Sequence, residues 1–288
     1  MRSSIVALVP CIVLLASPAL AQHESAAAAM QEQKPGDVQP IEVVIEGKKK
    51  SPAFTQTHQF STTRTWRLDA GEQSASLWYT QRFKKDGVAG ENTSLWQLEH
   101  QFGVVKGLQL DTYVGYAYDR EMGPHIDGAA VETRIAPWDY GQIWSNPVLY
   151  LEYKARNRAS SRGEVRLLLD GELGTHHLRG AINPFYEQNL DSPTGARADF
   201  TKEVEAGVTG ALSYAFSPKI AAGVEARAAG EQQGADPADP DALQHVLRVG
   251  PALWANLARG HFFVVGTALF GMTEYSDAFS TTLVLGVR

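Results

Sequence analysis

This 288-residue sequence predicts an all-β fold: a transmembrane antiparallel up-and-down β-barrel of about 12 strands behind a flexible N-terminal lead. Three observations predict it. The chain opens with an export signal, its hydrophobicity repeats with a period of two through a dozen segments, and the links between those segments run short and long by turns.

The export signal comes first. Arg2 supplies a positive start, Ile5 to Ala16 is an apolar run, and Ala19-Leu20-Ala21 is a small-x-small cleavage site. Residues 1–21 are therefore expected to leave as a signal peptide. The apolar run is too short for a spanning helix, which needs about 20 residues. Cys11, the only cysteine, lies in this leader, so the exported chain carries no thiol for a disulfide.

Residues 22–56 read as a flexible periplasmic segment, with Ala26 to Ala29 followed by Gln, Lys, Pro and Gly and little to bury. Within it, Ile41 to Gly47 followed by Lys48-Lys49-Lys50 resembles the short box with which TonB-dependent receptors add a strand to a periplasmic partner. A small apolar strand or unstructured peptide is the simpler reading. Residues 57–72 alternate through Phe60, Thr62, Arg64, Trp66 and Leu68. Counting them as a strand would give an odd total, so they are assigned to an extended periplasmic or lumen-tucked segment.

The barrel is expected over 73–288. The clearest pair is Trp96 to Tyr118, where Trp96, Leu98, His100 and Phe102 alternate with Gln97, Glu99 and Gln101. Beyond Val105-Lys106-Gly107, Leu108, Leu110, Val114, Tyr116 and Tyr118 alternate with Gln109, Asp111 and their successors. Successive strand side chains point to opposite faces, so each segment has one apolar face. The series continues at 128–137, 147–156, 163–173, 176–187, 199–215, 219–230, 243–255, 260–272 and 278–288, and it begins at 73–84. Links near 105–106, 174–175, 217–218 and 258–259 are tight. Those at 85–92, 120–127, 188–198 and 231–242 are long, as in barrels with short periplasmic turns and longer outer loops. Fourteen strands is the rival count. Trp138, Tyr140, Trp144, Tyr214, Phe216, Trp254 and Phe262 are expected in an inner-rim aromatic girdle.

With the apolar face toward lipid, the other face is the lumen. The residues expected to face lumen and solute are Glu99, Asp111, Glu132, Arg134, Glu152, Lys154, Arg166, Asp170, Glu225 and Arg227. Gln97, Glu164, Glu172, Glu203, Glu205 and Arg248 share their parity. Charges at this density need water or one another, because each costs a few kcal/mol against hydrocarbon. Two readings stay open: a narrow channel for small polar or ionic solutes, or a network that fills its own lumen. The formal net charge of −6, with no basic stripe, argues against nucleic acid. No phosphate loop, nucleophile elbow or Cys/His metal spacing is present in the sequence, so no catalytic set, cofactor or metal is expected. Outer-membrane lipid and a small-molecule solute are the expected partners, and a monomer the expected state. A lipid-modifying barrel enzyme and a purely structural barrel are the alternatives.

Trp96 to Gly103 with Leu108 to Leu110, Pro147 to Tyr153, Ala221 to Arg227 and Gly250 to Leu253 resemble small proteobacterial outer-membrane β-barrel proteins of the transporter type. Some of those barrels are associated with aromatic-compound degradation. The resemblance implies a channel or binding role without cofactor. Such barrels commonly end in an aromatic residue, whereas this chain ends Leu285-Gly286-Val287-Arg288. Either that assembly signal is relaxed or the last segment is not a membrane strand.

Overall fold

The computed structural model describes residues 58–85, 92–120, 123–157, 159–174, 177–190, 203–232, 243–257 and 261–288. The leader 1–21, the segment 22–56 and the partner motif Ile41 to Glu46 lie outside the described residues.

Twelve antiparallel strands close on themselves: β1 (Gln73–Phe83), β2 (Thr93–Val105), β3 (Leu108–Asp119), β4 (Gly123–Ile135), β5 (Val148–Arg156), β6 (Arg162–Glu172), β7 (Leu178–Asn189), β8 (Val204–Ser217), β9 (Ile220–Gln232), β10 (Leu243–Leu257), β11 (Phe262–Gly271) and β12 (Phe279–Val287). Each strand pairs with its sequence neighbours, and β1 pairs with β12 from Ala75↔Val287 to Phe83↔Phe279. Closure leaves no sheet edge with unpaired main-chain groups, the condition for strands to cross hydrocarbon. The final segment is thus a barrel strand, bonded on both sides, and the non-aromatic terminus does not remove it from the sheet.

Exposure follows the alternation. Leu98, Val114, Tyr116, Tyr153, Leu212, Val224 and Leu253 point outward, and Leu98 is 64% exposed. Glu99, Asp111, Glu132 and Glu225 point inward and are buried. An apolar exterior around a charged interior is stable only with lipid outside, so the molecule is an outer-membrane barrel. Pro184 and Pro251 also face outward. Pairing with the neighbouring β6 and β11 is interrupted beside them, as expected for a residue with no N–H to donate.

The clearest departure from the sequence expectation is the start of one strand. β4 starts at Gly123, so the outer link after Asp119 is short rather than spanning 120–127. The long link expected at 138–146, the exception among the short ones, is found over residues 136–147 at the periplasmic end. It is braced by Asn146, whose left-handed backbone (φ 43°) suits asparagine. The Asn146 amide accepts from Gly141 N (2.6 Å) and donates to Asp170 O (2.9 Å).

The aromatic girdle is smaller than expected. Trp144 is 91% exposed, and Tyr214, Phe216 and Phe262 also face out. Trp254 instead points into the lumen and packs with Trp78, Phe263, Val265 and Val284. Trp138 and Tyr140 fold over the periplasmic mouth against Trp66, Val148 and Leu168. Burial there pushes the Tyr140 phenol above its usual range. Depth alone suggested lipid contact for these three rings. Strand parity and the inward course of the 136–147 link decide otherwise.

Candidate functional site in the barrel lumen

Residues 58–69 lie inside the barrel, in its periplasmic half. Phe60, Trp66 and Leu68 are buried there, together with His58, Gln59, Ser61, Thr63, Thr65 and Arg67. From the periplasmic rim at Asp69 the segment rises extended, then bends at Ser61 to Thr63 near mid-depth. Phe60 packs on Ala181 and Ala252, and Trp66 joins the cluster at the mouth.

Side chains of the wall satisfy its main chain. Glu225 accepts from Ser61 N (3.2 Å), Thr62 N (2.6 Å) and Thr63 N (2.7 Å) at the bend. It also accepts from the hydroxyls of Ser61 (3.0 Å), Thr62 (2.8 Å) and Thr267 (3.1 Å). Six donors meet the charge of a carboxylate with no solvent exposure. The Asn183 amide copies a β-bridge, accepting from Arg64 N (2.6 Å) and donating to Arg64 O (3.1 Å). Lower down, Asp170 accepts from Trp66 N (2.9 Å), Gln109 from Leu68 N (2.5 Å), and Arg134 donates to Trp66 O (3.1 Å). Arg166 donates to Thr62 O (3.2 Å). At the mouth, Arg67 donates to the carbonyls of Ala136, Leu68 and Trp138.

A buried ionic cluster stands beside the segment. Arg134 bridges Glu132 (2.6 Å) and Asp111 (3.4 Å), while Arg64 lies 3.9 Å from Glu132. Glu99 accepts from Ser76 Oγ (2.9 Å) and Trp78 Nε1 (2.7 Å) and sits 2.9 Å from His58 Nε2. Oxygens of Glu99, Asp111 and Glu132 converge within 4.8 Å, a spacing a cation could use. The guanidiniums of Arg134 and Arg64 already occupy that role and the His58 ring bonds Glu99, so the cluster is answered by the protein's own nitrogens.

Above the bend the lumen widens into a cavity of about 650 Å³, with Ser61, Thr62, Arg64 and Trp78 in its floor. As many carboxylates as basic side chains line it. Arg162 pairs with Glu187 (2.5 Å) and Glu203 (3.1 Å), Lys154 with Asp127 (2.7 Å), Arg166 with Glu164, and Arg227 with Glu205. The guanidiniums of Arg227 on β9 and Arg166 on β6 lie 4.5 and 5.3 Å from the ring of Phe185 on β7, between them, a cation–π contact from each side.

All ten residues singled out from the sequence project inward, and the structure divides them by depth. Glu99, Glu152, Lys154, Arg166 and Arg227 border the cavity. Asp111, Glu132, Arg134, Asp170 and Glu225 are sealed beneath it, bonded to one another or to residues 58–69. Gln109 and Asn183 were not among the sequence candidates. Their signal was an amide at an inward position, weaker than a charge but equally unable to face lipid. Among the histidines, His100 faces outward beside Gln73, and His125 lies at the cavity wall with Nδ1 3.0 Å from Gly123 O.

No family model and no curated protein matches this sequence. Solved structures do. The chain is similar to the COG4313 outer membrane channel from Pseudomonas putida F1, with a TM-score of 0.58 and 10% identity over 76% of this chain and 96% of that one. It is also similar to the NanC porin, with a TM-score of 0.51 and 12% identity over 75% of this chain and 98% of that one. At such identities the likeness is one of fold: the chain resembles outer-membrane channels and porins in architecture.

Proposed function

We propose that this barrel is a non-enzymatic outer-membrane channel for small polar or ionic solutes, closed in the described state by residues 58–69. The supporting observation is the cavity of about 650 Å³ on the outer side, walled by side chains of both charges. Hydrated charges in a narrow space admit small polar solutes and discriminate among them by sign. The two structurally similar channels are consistent with transport, and the likeness to barrels of aromatic-compound degradation adds aromatic acids to the solutes worth trying.

Planar-bilayer recording of the purified protein tests the reading. Discrete current steps are expected, and Arg227→Glu should move the reversal potential toward cation selectivity. Absence of steps at every voltage, in the native protein and in variants with the segment freed, would overturn it. Ester hydrolysis in mixed micelles, abolished by one histidine substitution, would instead establish a lipid-modifying enzyme.

A further inference from the structure

We infer that the lumen wall contains a binding site for an extended polypeptide main chain, and that residues 58–69 are its resident ligand, able to leave while the barrel stays closed. This goes beyond the channel reading and does not require it.

The bonding pattern carries the inference. A segment that belongs to a sheet exchanges main-chain bonds with its neighbours. Among the described residues, no main-chain to main-chain hydrogen bond joins 58–68 to any strand. Their N–H and C=O groups meet side chains: Glu225, Asn183, Asp170, Gln109, Arg134 and Arg166. Those contacts recognise peptide geometry rather than particular side chains, as a receptor for an extended peptide does. The twelve-strand ladder is complete without the segment, because β1 pairs directly with β2 and β12. Removing it would therefore break no strand pairing.

The site is also graded. Its densest point is the bend, where Ser61, Thr62 and Thr63 wrap the Glu225 carboxylate and the small hydroxyl side chains add two bonds of their own. Among the described residues Glu225 bonds to no basic group, and five of its six donors come from the bend, so the bend is what compensates its charge. On departure, water from the adjoining cavity can take over, since Ser61 and Thr62 already border it. Withdrawal thus begins where solvent is at hand. The cavity and the space vacated would then be continuous.

Cysteine accessibility in the full-length protein tests this. Thr63 is 1% exposed. Thr63→Cys supplies a probe, because Cys11 lies in the leader. The folded barrel is treated with a membrane-impermeant polymer-linked maleimide and checked by heat-modifiable migration on a gel. Labelling of the still-folded barrel is expected, and adding Glu225→Ala should speed it by about tenfold or more, the loss of a charged hydrogen-bond acceptor. Labelling confined to unfolded protein, or unchanged by Glu225→Ala, would overturn the inference. For the site itself, a full-length Phe60→Asp, Trp66→Asp chain is offered a fluorescent peptide with the native sequence of residues 58–69. Saturable binding, weakened about tenfold by Glu225→Ala, is expected; no binding to a folded barrel would refute the site. Neither readout needs conductance, so failure of the channel reading and failure of this one are separable.

Discussion

The periplasmic and outer halves of the lumen are walled by the same strands, obey the same alternation, and behave in opposite ways. In the lower half, Asp111, Glu132, Arg134 and Asp170 are buried beneath the inserted segment and bonded through protein atoms. In the upper half, Lys154, Arg162, Arg227 and their carboxylates pair around open space. Pointing inward is therefore only half of a residue's environment. Depth decides whether it faces water or the chain's own backbone, and so whether its charge is part of a packed core or of a wet wall.

The contrast also appears in the apolar residues. The far edge of the Phe263 ring sits over Gly286 of β12 because that residue has no side chain, and a Cβ there would lie 2.0 Å from the ring. Trp78, Trp254 and Val265 complete that patch, on which the His58 ring rests edge-on to Trp78 at 4.7 Å. The lower lumen is a small protein core of buried rings and aliphatic side chains enclosed by a membrane barrel.

Substitutions can break this comparison. The largest effect is expected for Trp66→Ala, which empties the packed cluster at the periplasmic mouth and should cost about 3–5 kcal/mol, read from the urea midpoint of the bilayer-embedded barrel. A loss below about 1 kcal/mol would mean the lower half is not packed. Arg134→Met should cost a similar amount, about 3–5 kcal/mol, because it strands Asp111 and Glu132 face to face without their cation. Tolerance of that change would show water reaching the cluster. Leu98→Arg places a charge in lipid and should cost about 2–4 kcal/mol, whereas Gln97→Arg, on the cavity side of the same strand, should cost far less. Equal costs would contradict the assignment of faces. The smallest effect on stability is expected for Lys154→Gln. That partly exposed ion pair with Asp127 is worth no more than about 1 kcal/mol, although ion selectivity should still move. A large destabilisation there would merge the two halves into one structural network.

How much of this could be read from the sequence differs by element. Strands β2 and β3 were legible to within a residue because Trp96, Leu98, Val114 and Tyr116 interleave with polar residues without a break. The start of β4 was not, because Gly123-Pro124 and Gly128 look like loop although they are paired in the sheet. Trp254 illustrates a different error. Its place near the rim suggested lipid, yet Leu253 and Leu257 on the outward face already required it to turn inward. For residues 57–72 the alternation of Phe60, Trp66 and Leu68 signalled an extended, half-buried segment and left two addresses open. Which side chains would receive it had no local signature at all.

The sequence by itself determined the compartment, the barrel architecture and the face of nearly every strand residue, while twelve crossings rather than fourteen came from the closed sheet. Those follow from local covalent geometry, in which neighbouring side chains on a strand must diverge. Only the tertiary structure decided that Glu225, Asn183 and Asp170 hold an inserted peptide segment rather than water. Their partners lie 164, 119 and 104 residues away along the chain. Barrel closure, which no local pattern encodes, is what brings them within a hydrogen bond.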